Sequence, residues 1–537
     1  MNKRIHVLSN THWDREWYMS LENYRFRLVK MMDRLLDLME RQLSYTFVTD
    51  GQYMLVEDYL LVRPEMEDRV KQLVQAGRLL VGPWYTQPLE TLVTGEAMVR
   101  NLLLGIQKSQ GLGQVMRFAY MVDEFGHASQ MPQVLQGFGI AHMMAWRGMG
   151  PDYPTVFTWR APDGTAVTMH RSMDGYGEAT ALPATLEDFT EEFEGLLLER
   201  QGLSSRIAQI QHIKERTGEA PVQFWLNGID HSWAQENLQE VFDAIEQHWP
   251  QYSLCQSTPD AYAADLERQM EQEGYALPVF TGELMNPDAV LMSTHSCRAD
   301  HKLAHYRAEH LLAQYAEPMA AFAWLLGDRH ETWAVQRAWK NILENHAHDS
   351  LGCCSVDSVY LQCMARYDTS QSISRQLFEN GFTYLMALGG EAQEIYVYYP
   401  NATPAGGGAV VTLDIPEAQG VEGFRLWDAA GNEVPYGMLG RQKVMSTRYN
   451  PQHGHPTRVR CNRLTLALRL PHNAGIGIQR LRLEKTAGDD DVRRTCTAPY
   501  GVMENDVLRV EIQTNGVVAL LDKRSGRRYD NLLLLED

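Results

Sequence analysis

The sequence has few basic residues for its size, and this shortage excludes some classes of ligand. Its 537 residues contain 49 Lys and Arg against 68 Asp and Glu, which gives a net charge of −19 at pH 7. Binding to nucleic acid needs a basic surface that neutralises phosphates, so we expect no nucleic-acid partner. The charge balance favours a protein with small or neutral ligands.

Long apolar runs and a cysteine framework are also missing. No apolar run approaches the ~18 residues that span a bilayer, so we expect no membrane partner. Lys3 and Arg4 precede only the short run Ile5–Leu8, which is too short for a signal peptide. The seven cysteines have neither the even count nor the spacing of a disulfide framework. These features predict a cytoplasmic protein with free thiols, and they leave a homo-oligomer open.

The composition that is present is ordinary for a globular protein, with 44% hydrophobic and 22% charged residues. At about 150 residues per domain, the length predicts three or four domains. The hydrophobic pattern changes near residue 275 and again near residue 388. We therefore expect three parts, which cover residues 1–275, 276–388 and 389–537.

In residues 1–275, short apolar runs alternate with amphipathic helical stretches. This alternation predicts an α/β domain in which helices cover a parallel sheet that is either open or closed as a barrel. A hairpin-like stretch, Val156–Arg171, interrupts the alternation with a turn at Asp163 and Gly164. Ligands bind beyond the carboxyl ends of the strands in such folds. The candidate strands are Arg4–Leu8, Tyr45–Thr49, Leu79–Val81, Phe118–Val122, Met143–Trp146, Val222–Leu226 and Tyr252–Leu254.

The other two parts have different patterns. Residues 276–388 predict a three-helix bundle, because apolar residues recur there at spacings of three and four. Residues 389–537 predict an antiparallel β-sandwich with turns at Gly406–Gly408 and at Asn515-Gly516. We expect this β-region to be incomplete at its C-terminus, because few strands follow the last turn. One apolar stripe of the bundle is Leu312, Tyr315, Met319, Phe322 and Leu326.

His12 and Asp14 follow the first candidate strand directly. Two such residues just beyond a strand end can point into one cleft and bind a divalent metal. The alternative is a surface histidine beside an aspartate that caps a helix.

Asp123 and Asp230 each follow a buried candidate strand. An acidic group at such a position is costly unless it is paired, so it is usually either a helix cap or a functional group. Gly228 permits a tight turn that aims the Asp230 carboxylate over the sheet. The alternative for Asp230 is an Asx-type turn that faces solvent.

His346 and His348 lie in the helical part, close to a helix stop at Gly352. On a helix their side chains point about 200° apart, so at most one of them binds a given metal unless the helix has ended. The neighbouring Cys353 and Cys354 chelate poorly as an adjacent pair, and we expect them to be buried thiols.

Taken together, two histidines and several aspartates form a nitrogen and oxygen site that suits zinc or a similar divalent ion. One further aspartate remains for proton transfer, and a pair of carboxylates is what glycoside hydrolysis requires. The nearby aromatic residues suit either stacking on a sugar or packing in a core. They are Trp13, Trp17, Trp84 and Tyr85.

Five motifs of this sequence occur together in one family of enzymes. In their order and approximate spacing they resemble the α-mannosidases of glycoside hydrolase family 38, over nearly the whole chain. The bacterial branch that includes mannosylglycerate hydrolases is the most similar. The motifs are His12-x-Asp14-Arg-Glu-Trp17, Gly82-Pro83-Trp84-Tyr85, Asp123-x-Phe-Gly-His127, Asn227-Gly-x-Asp230 and His346-x-His348-Asp349-Ser-x-Gly352.

The resemblance implies a fold and a reaction. The fold is a seven-stranded α/β barrel, followed by a three-helix bundle and β-sandwich domains. The reaction is zinc-dependent, exo-acting hydrolysis of terminal α-linked mannose with retention, and the carbohydrate is the expected partner.

The resemblance also implies roles for individual residues. One Zn²⁺ per subunit, or another divalent ion, is bound by the metal ligands. Asp123 is also the nucleophile, and Asp230 is the general acid and then the base. The implied metal ligands are His12, Asp14, Asp123 and His348, and the implied substrate-binding residues are Trp17, Arg147 and Asp349.

One position departs from the pattern, and two other functions stay open. Glu124 occupies a position that is often small or Pro in relatives, which affects the expected shape of the subsite. One alternative function is a metal-dependent carbohydrate deacetylase on a related barrel, which has little need for Asp230 as an acid. The other is a non-catalytic, sugar-binding, truncated homologue.

Overall fold

The computed structural model describes most of the chain. The described residues are 3–172, 175–217, 220, 222–287, 290–389, 394–403, 405–449, 454–473, 475–486 and 501–534. The chain divides into two compact units, Met1–Tyr384 and Leu385–Asp537. No helix among the described residues is both long enough and apolar enough to cross a membrane.

The first unit begins with alternating strands and helices, as the sequence predicts. Each of the seven candidate strands is present, and the hairpin Val156–Arg171 is confirmed. The strands of this unit are β1 (Lys3–Ser9), β2 (Phe47–Val48), β3 (Leu79–Leu80), β4 (Phe118–Tyr120), β5 (His142–Ala145), β6 (Val156–Arg160), β7 (Ala166–Arg171), β8 (Phe189–Phe193), β9 (Leu196–Arg200), β10 (Gln223–Asn227), β11 (Tyr252–Gln256) and β12 (Val279–Thr281).

Helices lie between these strands and continue after them. Short 3₁₀ segments precede α3, α4 and α9, and a π-helical turn, Leu311–Ala316, joins α9 to α10. The α-helices are α1 (Leu21–Arg41), α2 (Met54–Val62), α3 (Glu67–Gln75), α4 (Gly95–Leu112), α5 (Met131–Gly137), α6 (Leu203–Thr217), α7 (Leu238–His248), α8 (Pro259–Glu273), α9 (Ala299–His310), α10 (Glu317–Leu325), α11 (Thr332–Glu344), α12 (His348–Gly352) and α13 (Asp357–Gly389).

The parallel strands of the first unit place their carboxyl ends at shared sheet edges. β1 lies between β10 and β11 and is parallel to both, and β2 is parallel to β3. A second sheet has the order β12-β6-β7-β5-β4, in which β4 and β5 are parallel. This mixed α/β architecture agrees with the expected fold class.

The core of the first unit follows from the helical and strand periods. The buried face of α1 includes Leu28, Met32, Leu35 and Met39, which recur at spacings of three and four. Each such side chain contributes about 1.5–3 kcal/mol on full burial. All three residues of β4 are buried, so the polar residues that follow it are carried into the interior.

In the helical bundle, the residues that face the core differ in part from the predicted apolar stripe. Leu312 and Met319 are buried as expected, but Phe322 and Leu326 are exposed. Ala316 and Ala323 occupy the buried face in their place. The buried positions Leu312, Ala316, Met319 and Ala323 still recur at spacings of four and three, so the helix buries an apolar stripe that lies beside the predicted one.

Most of the described residues of the second unit lie in antiparallel sheets. Side chains from the sheets β13-β18-β15 and β14-β17-β16 share one core cluster, so these sheets pack face to face as the predicted sandwich does. The remaining sheet is β19-β20-β21-β22. The strands are β13 (Glu394–Tyr399), β14 (Ala405–Pro416), β15 (Gly423–Trp427), β16 (Tyr436–Tyr449), β17 (Pro456–Asn473), β18 (Gly477–Thr486), β19 (Val502–Glu504), β20 (Leu508–Ile512), β21 (Val518–Asp522) and β22 (Arg527–Leu532).

One of the two predicted turns in this unit is wrong. Gly406–Gly408 lies inside β14, where pairing with β17 extends the strand across a shift of register between Ala405 and Gly407. The turn at Asn515-Gly516 is confirmed, since it connects β20 to β21 and Gly516 has a φ of 83°.

Candidate active site

The sequence-predicted residues come together from four parts of the first unit. His12 and Asp14 follow β1, Asp123 follows β4 and Asp230 follows β10, while His348 begins α12. Because β1 and β10 are parallel neighbours, their following segments leave the sheet at the same edge.

Main-chain hydrogen bonds continue the pairing of β1 and β10 into the site. The backbone N–H of His12 donates to the carbonyl oxygen of Ile229 at 3.3 Å, and that of His231 donates to the carbonyl oxygen of His12 at 2.7 Å. His12 and Asp230 thereby form an isolated parallel bridge. Gly228 permits this close approach, because a Cβ atom there would lie 1.9 Å from the carbonyl oxygen of Asn10.

Three of these side chains, His12, Asp14 and His348, converge on one point, and Asp123 lies beside the two histidines. Nε2 of His12 lies 3.0 Å from Oδ1 of Asp14, and Nε2 of His348 lies 3.5 Å from the same oxygen. Oδ2 of Asp123 lies 3.8 Å from Nε2 of His12 and 3.6 Å from Nε2 of His348. Zinc bonds of about 2.0–2.1 Å in a tetrahedron place ligand atoms roughly 3.3 Å apart, which is close to these separations.

The hydrogen bonding of this cluster fits a divalent cation. Nε2 of His12, Oδ1 of Asp14 and Nε2 of His348 are buried and have no hydrogen-bond partner in the described part of the chain. Leaving such a group unpaired costs about 1–3 kcal/mol. A nitrogen and oxygen donor set of this kind suits zinc, which would satisfy all three atoms at once.

Asp50 orients the first of these ligands. Nδ1 of His12 donates to Oδ1 of Asp50 at 3.0 Å, so Nε2 is the nitrogen that remains for a metal. The carboxylate of Asp50 also accepts from the backbone N–H of Trp13 at 2.8 Å and from Nε2 of Gln87 at 3.0 Å. The sequence analysis missed Asp50, although it follows the candidate strand Tyr45–Thr49 directly and the strand-end rule would have found it.

Arg147 follows β5 and binds the carboxylate of Asp123. Its Nε and Nη2 atoms lie 2.7 and 2.6 Å from Oδ1 of Asp123. Burial raises the pKa of Asp123, but His348, His12 and Arg147 outweigh it and hold this pKa below its usual value. Asp123 is therefore ionised at neutral pH.

Asp230 has the opposite electrostatic setting. Burial raises its pKa above the usual value, and the charges of Asp14 and Asp123 act in the same direction. The hydroxyl of Tyr176, which the sequence analysis also missed, donates to Oδ1 of Asp230. Two carboxyl groups with pKa values shifted apart form a suitable pair for acid–base work.

The segment between Asp14 and Trp17 is anchored by two buried ion pairs. Nε of Arg15 donates to Oδ2 of Asp58 at 2.6 Å. Glu16 accepts from Arg366 at 2.6 and 2.8 Å through its two oxygens. Arg15 and Glu16 therefore hold the segment from His12 to Trp17 in place.

The remaining predicted residues lie around this centre. Asp349 is buried directly after His348, and it accepts from Sγ of Cys354 at 2.8 Å. Burial raises the pKa of Asp349. Trp17 is half-buried, and its ring packs on that of Tyr18 with 3.9 Å between the centroids.

His346 and His348 separate as the sequence predicts. His348 joins the cluster around Asp14, whereas Nε2 of His346 lies 3.6 Å from Oε2 of Glu309. Cys353 and Cys354 are free thiols, but both are half-buried, so the expectation of two buried thiols is wrong in degree. The turn that ends α12 at Cys353 brings them towards the surface.

Comparisons with known proteins agree with this geometry. The family model described as "Glycosyl hydrolases family 38 N-terminal domain" matches residues 2–283, and "Alpha mannosidase middle domain" matches residues 290–385. A candidate mannosylglycerate hydrolase of Halalkalibacterium halodurans is 32% identical over 392 residues, which are 68% of this chain and 41% of that protein. Human alpha-mannosidase 2C1 is 22% identical over 71% of this chain and 35% of its own length.

A solved structure shows the same fold. The crystal structure of an alpha-mannosidase from Enterococcus faecalis V583 matches with a TM-score of 0.86 and 24% identity. The match covers 99% of this chain and 62% of that one. The chain thus spans less than two thirds of the length of each of these three proteins.

Proposed function

Because the chain belongs to glycoside hydrolase family 38, we propose that it is a zinc-dependent, exo-acting α-mannosidase that hydrolyses terminal α-linked mannose with retention. The observation that carries this proposal is the meeting of His12, Asp14, Asp123 and His348 beside Asp230. The named relative from Halalkalibacterium halodurans supports a small glycoside of the mannosylglycerate type as a substrate.

The sheet of the α/β domain closes into a barrel in the proposed enzyme. We infer that the seven strands predicted for residues 1–275 form a barrel, followed by the bundle of residues 276–388 and the β-region of residues 389–537. Hydrogen bonds beyond the strand ends support this closure, from Thr49 N–H to the Leu80 oxygen and from Met116 N–H to the Val81 oxygen.

His12, Asp14, Asp123 and His348 would hold the zinc ion. A bound zinc ion supplies a Lewis acid that binds sugar hydroxyl oxygens. The protein provides the buried setting, and Asp50 holds a proton of His12 on Nδ1, so that Nε2 is the nitrogen that faces the proposed site.

Asp123 is the proposed nucleophile. Its ionised carboxylate attacks the anomeric carbon and forms a covalent mannosyl-enzyme, while the bond to the leaving oxygen breaks. Arg147 positions this carboxylate through its two contacts with Oδ1. The lowered pKa of Asp123 supports this role, because a nucleophile must be unprotonated.

Asp230 is the proposed acid and base. It gives its proton to the leaving oxygen in the first step and then takes a proton from the water that hydrolyses the mannosyl-enzyme. Its raised pKa supports the protonated starting state. Tyr176 fixes the orientation of the carboxyl group through its hydroxyl.

Trp17, Arg147 and Asp349 are proposed to bind the substrate. The ring of Trp17 is partly accessible and suits contact with a sugar face. Asp349 is buried next to His348 and suits hydrogen bonding to sugar hydroxyls. Arg147 shapes the sugar subsite while it donates a hydrogen bond to Asp123.

Location is part of the proposal as well. Six cysteines of the described residues are free, which supports a reducing, cytoplasmic setting.

A substrate assay tests the proposal. Zinc-loaded enzyme should release mannose from an aryl α-mannoside and from mannosylglycerate, and a chelator should abolish both activities. Proton NMR should show the α-anomer as the first product. Release of acetate from an acetylated sugar without any release of mannose would favour a deacetylase, and binding of mannose without turnover would favour a sugar-binding protein.

Two variants separate the roles of the carboxylates. Asp123→Ala should abolish turnover of both substrates, and added azide should rescue it with inversion. Asp230→Ala should lose far more activity on mannosylglycerate than on an aryl mannoside, because a good leaving group needs little protonation. Asp265→Asn is the control, since Asp265 is a buried carboxylate that pairs with His6 outside the site. Near-normal activity of Asp123→Ala would exclude it as the nucleophile.

A further inference from the structure

A second cluster of metal-ligand side chains lies in the first unit. His305 and Glu309 are one turn apart on α9, and His346 precedes α12. Their exposed fractions are 4%, 2% and 0%. One potential ligand atom from each lies within 4.8 Å of the other two, as in the group His12, Asp14 and His348.

The separations in this cluster match those around a tetrahedral ion. Oε2 of Glu309 lies 3.1 Å from Nε2 of His305 and 3.6 Å from Nε2 of His346. The carbonyl oxygen of Leu92 lies 3.1 Å from Nε2 of His305. These distances lie on both sides of the roughly 3.3 Å expected between zinc ligands, and they are similar to those of the candidate active site.

The hydrogen bonding of the cluster is incomplete. Oε2 of Glu309 and both ring nitrogens of His346 have no hydrogen-bond partner within the described ranges. The other oxygen of Glu309 accepts from the backbone N–H of Thr94 at 3.0 Å. No Lys or Arg forms an ion pair with Glu309 among the described residues, so its buried carboxylate lacks a permanent counter-charge.

We propose that His305, Glu309 and His346 bind a second divalent cation, with the carbonyl oxygen of Leu92 as a fourth ligand. Two imidazole nitrogens with a carboxylate are a donor set that suits zinc. The ion would supply the missing positive charge beside Glu309 and would bind Nε2, one of the two unpaired ring nitrogens of His346. Without an ion, Nε2–H of His305 would instead donate to the Leu92 oxygen and to Glu309.

The second ion would have a structural role. The N–H of Leu89 donates to the carbonyl oxygen of His346 at 2.9 Å, and the N–H of His348 donates to that of Gln87 at 3.2 Å. The segment that carries His348 is therefore paired with residues 87–89 on one side. Coordination through His346 would tie the same segment to α9 on the other side. This inference does not depend on the proposed glycosidase activity.

Counting bound metal tests the second site. The full chain is loaded with Zn²⁺ alone, desalted, and measured by mass spectrometry of the metal against protein concentration. The wild type should hold two ions per chain, whereas Glu309→Gln and His346→Gln should each hold one. His12→Ala should also hold one ion, through loss from the other site. His301→Gln is the matched control, since His301 is a buried histidine one turn before His305, and it should hold two.

Three outcomes would overturn the proposal. They are one ion in the wild type that His12→Ala removes, two ions in His346→Gln, and loss of an ion from His301→Gln but not from His346→Gln. If either ligand variant fails to fold by circular dichroism, titration of the metal-free wild type with Co²⁺ decides. Saturation of the visible absorption at two equivalents supports the second site, and saturation at one equivalent refutes it.

Discussion

Replacing Asp50 with Asn should weaken zinc binding, although Asp50 is not one of the proposed ligands. Its Oδ1 accepts from Nδ1 of His12 at 3.0 Å and so directs Nε2 towards the proposed zinc site. Asn keeps the shape of the side chain and tolerates the left-handed backbone at position 50, where φ is 55°. The substitution therefore removes the negative charge of Asp50 and keeps the backbone conformation at this position.

The size of this effect follows from one charged hydrogen bond. A hydrogen bond to a charged group contributes about 1.5–3 kcal/mol, and about 1.4 kcal/mol changes an equilibrium constant tenfold. Loss of such a partner behind a metal-binding histidine typically costs about 10–100-fold in affinity. We therefore expect the Kd for Zn²⁺ at this site to rise about 10–100-fold.

Competition with a chromogenic chelator measures that Kd. Asp265→Asn is the control, because Asp265 accepts from His6 at the same distance of 3.0 Å outside the site. The control should bind zinc as the wild type does. Wild-type affinity in Asp50→Asn, or an equal loss in both variants, would refute the reasoning.

Three further changes test other parts of the site. Tyr176→Phe removes a donor that lowers the pKa of Asp230, so the alkaline limb of the pH–rate profile should move to higher pH; an unchanged limb would contradict it. Arg366→Met leaves the buried charge of Glu16 unpaired, and urea denaturation should show a loss of about 3–5 kcal/mol. The pKa of Glu16 lies below its usual value because Arg366 outweighs burial, so this contribution is present at neutral pH and is lost as the pH falls through that pKa. Gly228→Ala would place a Cβ atom 1.9 Å from the backbone oxygen of Asn10 at the end of the neighbouring strand, so kcat should fall sharply. A normal kcat would show that the close approach of the two strand ends at Gly228 is not needed for activity.

Much of the site could be predicted from the sequence because it follows a local rule. The seven candidate strands of residues 1–275 are short apolar runs, and polar residues follow several of them at the sheet edge where ligands bind. His12, Asp123 and Asp230 all follow such runs, and the structure places them together. The same rule applies to Asp50, which was overlooked because it stands alone after its strand and belongs to no cluster of polar residues.

Other features depend on tertiary contacts that no local pattern carries. Glu309 and His346 are distant in sequence and meet only because α9 packs beside the segment before α12. Phe322 and Ala323 both continue an apolar spacing of three or four residues from Met319, and only the packing of the helix decides that Ala323 is buried and Phe322 is exposed. Gly406–Gly408 has the composition of a turn, but pairing with β17 decides its conformation.

The main-chain bridge between His12 and Asp230 has a consequence for how the protein can change. A proposed metal ligand and the proposed acid are joined through peptide groups, so a mutation that shifts the main chain of one also shifts that of the other. Sequence changes in the surrounding loops can alter which leaving group is accepted, while the main-chain spacing between His12 and Asp230 stays the same. For the same reason, an engineer who transplants the segment after β10 into another scaffold must bring the end of β1 with it.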